Sequence, residues 1–289
     1  MRKYILMAMA GMLALSSCSN DNVDELAPED APRQMTFSAG YGDAGQTRTT
    51  LDISSLNVSF DAGDEISILS AKNANAKFTT AEGGATATFT GSARDDAKFC
   101  AVYPYTDGLA LSGTSITGVT IPTTQWNGNW VNKNSHVWDP KAPIAYAVTE
   151  GASLQFHNLC AILSLIIRGD ITNSNAIKNG NWGTVTISAD QPLAGTFSLD
   201  TETGTLTATE GSKTVTAGDG TTNKVNLCQI LLYIAIAPGT YTNFEVCVED
   251  MIIEKCTIKK KGSVTFEAGK IYELGIFSSF IFQPQAKAA

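Results

Sequence analysis

Short alternations of apolar and polar residues recur along the chain. In Gln34-Met-Thr-Phe-Ser-Ala-Gly40, Met35, Phe37 and Ala39 fall on one side and Thr36 and Ser38 on the other, the period of a strand buried on one face. Similar runs at 56–60, 65–70, 85–90 and 98–103 are separated by turn residues, which predicts antiparallel sheet. From 104 to 150 the pattern dissolves into Gly, Thr and Asn around Trp126, Trp130 and Trp138, and reads as long loops with an edge strand at 143–147. A second series opens with the very hydrophobic segment 153–167, read as a central strand or a bent strand pair. Its partners are predicted at 185–187, 193–199, 224–237, 243–248, 252–258, 263–266 and 271–276. Seven or eight short strands fill one sandwich. The expectation is therefore an all-β chain of two antiparallel sandwiches, over 49–151 and 152–276, with almost no helix.

The two ends follow other patterns. Arg2 and Lys3 precede an apolar run over 4–15, the layout of a secretion signal, and that run is too short to span a bilayer. Leu15-Ser-Ser-Cys18 is similar to the bacterial lipobox read by signal peptidase II. The likeness implies a signal peptide over 1–17 and Cys18 as the diacylated first residue of the mature chain. An ordinary signal peptide followed by a buried cysteine is the plainer alternative. Each buried methylene of an acyl chain contributes about 0.8 kcal/mol, so two or three chains anchor firmly. Residues 19–32 are polar and acidic with two prolines, the composition of a tether, so 18–48 reads as a lipidated tether plus a first strand. At the other end, Phe277, Phe280, Ile281 and Phe282 open an otherwise polar tail, 277–289. Exposed phenylalanines promote aggregation, so something is expected to cover them.

A formal charge of −8 argues against nucleic acid and anionic membrane surfaces as partners. Lys259-Lys-Lys261 reads as a solvated hairpin end. Beyond Cys18 there are Cys100, Cys160, Cys228, Cys247 and Cys256, an odd number with no C-x-x-C pair. Most sit in apolar runs and read as buried thiols; Cys247 and Cys256 flank an expected hairpin and are the one candidate bridge. The chain has two histidines: His157, in a strand pattern, reads as a packed structural residue, and His136 lacks neighbours at metal-ligand spacing. Asp95-Asp96 and Glu249-Asp250 read as turns rather than acid/base pairs. No active site, metal or cofactor is expected. Trp126-Asn-Gly-Asn-Trp130 alone has a binding character, since paired aromatics stack on sugar rings. Its plainer role is to cover a sheet edge or the domain junction.

Several segments in order resemble the fimbrillin family, lipoprotein-derived pilins of anaerobic diderm bacteria. They are Thr47-Arg-Thr-Thr50, Phe60-Asp-Ala-Gly-Asp-Glu-Ile-Ser-Ile68, Phe99-Cys-Ala-Val-Tyr-Pro-Tyr105, Leu154-Gln-Phe-His-Asn-Leu159, Ile236-Ala-Pro-Gly-Thr-Tyr-Thr-Asn-Phe244 and Phe266-Glu-Ala-Gly-Lys-Ile-Tyr272. The resemblance implies two transthyretin-like antiparallel β-sandwich domains in tandem and a non-enzymatic structural subunit of a surface fimbria. It further implies export as an outer-membrane lipoprotein, cleavage after Arg48 by an arginine-specific protease, and polymerisation by donor-strand exchange. Arg33 is the other accessible arginine. Cleavage would release the Met35/Phe37/Ala39 strand and open a groove, which Phe277, Phe280, Ile281 and Phe282 of a neighbour would fill. The implied partners are other pilin subunits, the outer membrane through the lipid, and a host or bacterial surface receptor. The alternatives are a pilus tip or anchor adhesin, or a monomeric glycan-binding surface lipoprotein using Trp126 and Trp130.

Overall fold

A computed structural model describes residues 31–42, 50–52, 57–126, 139, 141–168, 182–218, 225–226, 230–250 and 255–278. The regular elements among them are all β-strands. In chain order come β1 (Arg33–Tyr41), β2 (Thr50–Asp52), β3 (Asn57–Ser59), β4 (Glu65–Leu69), β5 (Ala76–Thr80), β6 (Ala87–Ala93) and β7 (Phe99–Tyr103). Next are β8 (Ala110–Ser112), β9 (Ser115–Ile121), β10 (Thr124–Trp126), β11 (Ala145–Thr149) and β12 (Ser153–Asn158). After β13 (Ala161–Arg168) and β14 (Trp182–Ser188) come β15 (Ala194–Asp200), β16 (Leu206–Ser212), β17 (Thr214–Gly218) and β18 (Val225–Asn226). The last are β19 (Ile230–Ile236), β20 (Gly239–Thr242), β21 (Glu245–Asp250), β22 (Lys255–Lys259), β23 (Ser263–Phe266) and β24 (Ile271–Ser278).

Seven strands close into a barrel in the order β1-β12-β11-β7-β4-β5-β6, with β6 returning to β1. Alternation builds it: in β12, Leu154, Phe156 and Asn158 are buried while Ser153, Gln155 and His157 are exposed. The barrel interior is aromatic, filled by Phe37, Phe60, Phe78, Phe89, Phe99 and Phe156 with Tyr103. Closure leaves no edge in this sheet, which an open sandwich would have.

The remaining strands form a second core. The sheet β10-β17-β14-β21-β22, the three-stranded β19-β13-β24 and the four-stranded β16-β15-β9-β8 surround it. Here the structure corrects the expectation of loops between 104 and 150. Ser115–Ile121 is a strand paired with β15, and Ile116, Val119 and Ile121 are buried in the second core. Their apolar spacing is broken by Thr117, Gly118 and Thr120, which hid the period from the sequence. Strands β5, β16 and β17 also went unforeseen. The segment 153–167 is a strand pair whose members part company: β12 joins the barrel and β13 the second core.

Strand β7 lies between the two cores and is buried on both faces. Phe99, Ala101 and Tyr103 point into the barrel, while Cys100 and Val102, with Leu69 of β4, join the second core. That double burial explains the unbroken apolar run Phe99-Cys-Ala-Val-Tyr103. Both cores belong to the one compact unit Pro32–Ala289.

Candidate functional site

Strand β1 is the element with an unusual position. It is the first of the described strands, yet it is the stave that closes the barrel, between β12 and β6. It runs parallel to β12, with Ser38 opposite Ser153 and Tyr41 opposite Phe156. It runs antiparallel to β6 over its whole length from Arg33 opposite Ala93 to Ala39 opposite Ala87. The amides of Ser38 and Gly42 donate to the carbonyls of Ala152 and Phe156 at 2.8 and 3.2 Å. Alternation then turns the amides of Met35, Phe37 and Ala39 toward β6.

The side chains beneath β1 define a slot with distinct positions. Phe37 is 1% exposed, lies opposite Phe89, and meets the rings of Phe78 and Phe99 at centroid distances of 5.5 and 5.2 Å. Edge-on and tilted ring pairs of this kind add to the hydrophobic gain. Ala39, equally buried, sits opposite Ala87 of β6 and Leu154 of β12. Half-buried Met35 is opposite Gly91, and a Cβ at Gly91 would fall 2.5 Å from the Phe78 ring. The slot is therefore shaped by a missing side chain as well as by those present. Tyr41 stacks on Phe60 at 5.3 Å and 29°.

Polar groups mark the ends of the slot. Arg33 pairs with Asp95 at 2.9 Å, both exposed, so the ion pair contributes little to stability. At the other end the buried phenol of Tyr103 lies near Asp64, Tyr41 and Asp61, and burial above all pushes its ionisation well beyond the usual tyrosine range.

The other predicted residues are placed as follows. Cys18, Arg48, Phe280, Ile281, Phe282, Trp130 and His136 lie outside the described residues. Trp126 ends β10, opposite Gly218. The backbone of Phe277 belongs to β24, opposite Ile167 of β13, so the last strand continues through Ser278 where the sequence suggested an end at 276. His157 is exposed on the outer face of β12, 6.0 Å from the Tyr146 ring, and not packed as expected. Glu249-Asp250 completes β21 and is not a turn. Cys247 is a free, half-buried thiol opposite Thr257, whereas Cys256 pairs with Val248, one step out of register for a bridge. Among the described residues no group of three or more His, Cys, Asp or Glu could hold a metal ion.

One buried polar residue escaped the sequence reading. Gln125 is fully buried; its amide nitrogen donates to the Ala235 carbonyl at 2.6 Å and its oxygen accepts from the Ala235 amide at 2.8 Å. It completes the free edge of β19 as a neighbouring strand would. A lone Gln between Thr and Trp carries no signal for this.

No protein-family model and no curated protein matches the sequence. Solved structures do share the fold. A "putative cell adhesion protein" from Bacteroides uniformis aligns over 84% of this chain and 93% of its own, with 18% identity and a TM-score of 0.52. One of the same description from Bacteroides ovatus covers 85% and 92%, with 12% identity and a TM-score of 0.50. A fimbrial protein from Bacteroides ovatus aligns over 84% of this chain and 49% of its own, 11% identical, at a TM-score of 0.37, which is below that of a shared fold. The likeness to the first two is one of fold.

Proposed function

We propose that this chain is a fimbrillin-type subunit of a cell-surface fimbria: exported as a lipoprotein through Cys18, cut after Arg48, and polymerised by donor-strand exchange in support of adhesion. The observation that carries the reading is the position of β1. It is the first described strand and closes a barrel whose other staves run β12-β11-β7-β4-β5-β6, and the residues that follow it, 43–49, include Arg48. A cut there would leave β1 held only by its two ladders and its side chains. Its departure would expose an apolar slot flanked by the unpaired edges of β6 and β12, about two strand spacings or 9.5 Å apart. A strand from another subunit could enter, and because one molecule both supplies a strand and offers a slot, the contact propagates into a filament. The two cores then correspond to the two transthyretin-like domains of the family.

Arg33 is disfavoured as the cutting site. It sits in the ladder opposite Ala93, and a protease needs an extended, unpaired segment. The test is limited digestion of the lipid-free chain with an arginine-specific protease, followed by mass spectrometry and size-exclusion chromatography. Cutting after Arg48 with growth of oligomer ladders, lost on deletion of 279–289, is the expected result. A resistant chain, or a cut chain that remains monomeric, would refute polymerisation.

A further inference from the structure

We infer that this chain is built to bear tension between its two ends, the load crossing both cores along the consecutive strands β12 and β13, which β1 and β24 hold on one shared edge. The inference goes beyond strand exchange and needs neither cleavage nor a second copy. Backbone hydrogen bonds define the shared edge. The carbonyls of Ala152 and Phe156 accept from the amides of Ser38 and Gly42, at β1. Further along, the Cys160 carbonyl accepts from the Gly269 amide at 2.8 Å, and the Ile162 amide donates to the Lys270 carbonyl at 2.9 Å, where β24 begins. The Leu159 amide points the other way, to the Ile144 carbonyl beside β11. Alternation thus passes unbroken from β12 into β13, and the groups of the even-numbered residues meet β1 first and β24 next.

Direction matters as much as position. Both β1 and β24 run parallel to the strand they hold, from Ser38 opposite Ser153 to Ser278 opposite Arg168, about 50 Å of extended chain. Opposed pulls on Arg33 and Ser278 therefore act along the strands and shear the ladders, so that their hydrogen bonds resist together. A pull across the strands breaks the same bonds one after another. Each bond is worth only about 1 kcal/mol net, so strength comes from loading many at once. β1 is sheared against two neighbours, β12 and β6. β24 is sheared against β13, where the register shifts between Ser164 and Leu165 and Gly275 takes a φ of +110°. A slip of one residue would carry another residue into that left-handed conformation and turn every side chain to the opposite face. The shared strands are themselves fixed. Leu154, Phe156, Ile162, Leu163 and Leu165 are buried, and β11 and β19 hold the other edge.

The test is single-molecule stretching of the intact lipid-free chain, residues 19–289, in two geometries at one loading rate. In the first, the handles sit on the two termini. In the second, the C-terminal handle moves to an azide-bearing residue in place of exposed Ala97, just past the Arg33–Ala93 pair, so that β1 is peeled from β6 pair by pair. An unchanged melting temperature checks that this exposed label leaves the fold intact. Rupture between the termini at a force at least about twofold that of peeling is expected, because the ladder bonds yield together rather than in turn. Equal forces, or a weaker rupture between the termini, would overturn the inference. So would a discrete low-force step of about 3 nm before the main rupture, the length of the 8 residues of β24, since that strand would then not be holding.

Discussion

Replacing Phe37 by alanine removes a side chain that is 1% exposed and touches two aromatic rings, Phe78 and Phe99, across the barrel interior. Truncation of a fully buried phenylalanine costs about 4 kcal/mol, part lost transfer energy and part the void left behind. The void has little chance to collapse, because β1 is fixed by ladders on both sides. For a unit of this size the melting temperature should fall by about 12 °C. The same loss reads out differently once the chain is cut after Arg48. There Phe37 helps hold a separate fragment, so retention of that fragment should weaken by about 1000-fold. Thermal melting of the intact protein and the rate of fragment release from the cut protein are the two assays. Thr36→Ala, on the exposed face of the same strand, is the control and should shift stability by under about 0.5 kcal/mol. A drop of less than about 3 °C for Phe37→Ala, or unchanged release, would refute the view that this residue anchors β1.

Four further outcomes follow from the geometry and burial. Gln125→Leu leaves the amide and carbonyl of Ala235 unpaired and should cost about 3 kcal/mol, with faster hydrogen exchange at the Ala235 amide than elsewhere in β19. Gly91→Ala drives a Cβ to 2.5 Å from the Phe78 ring and 2.6 Å from the Lys77 carbonyl, so urea unfolding should report a loss of about 2 kcal/mol. Iodoacetamide at pH 8 should label half-buried Cys247 ahead of buried Cys100 and Cys160, as peptide mapping would read. Burial pushes the Cys160 thiol up to about 12 from an ordinary 9.0. The unfolded chain therefore releases that proton first, and this contribution to stability is whole below pH 9 and declines as pH rises toward 12, measurable by urea titration against a Cys160→Ala variant.

The strand character of the chain was legible without coordinates, because a period of two is a local property. Phe37 and Ala39 of β1, and Leu154 and Phe156 of β12, are buried on the side their alternation assigns. That the described regular elements are all strands agrees with the missing 3.6-residue period. What alternation cannot specify is which strand lies beside which, since each face pattern is compatible with many neighbours. Only packing set β1 parallel to β12, more than a hundred residues away, and so closed a barrel where an open sandwich was expected. Packing also recruited Ser115–Ile121 into the second core through β15, and gave β7 two buried faces. The role of Gln125 depended on the Ala235 edge arriving at hydrogen-bond distance, which no residue near it in sequence announces. The sequence thus determined which residues seek the interior, through the cost of leaving them in water. The tertiary structure decided which backbone edges meet, because those pairings join distant segments and are selected by the fit of whole faces.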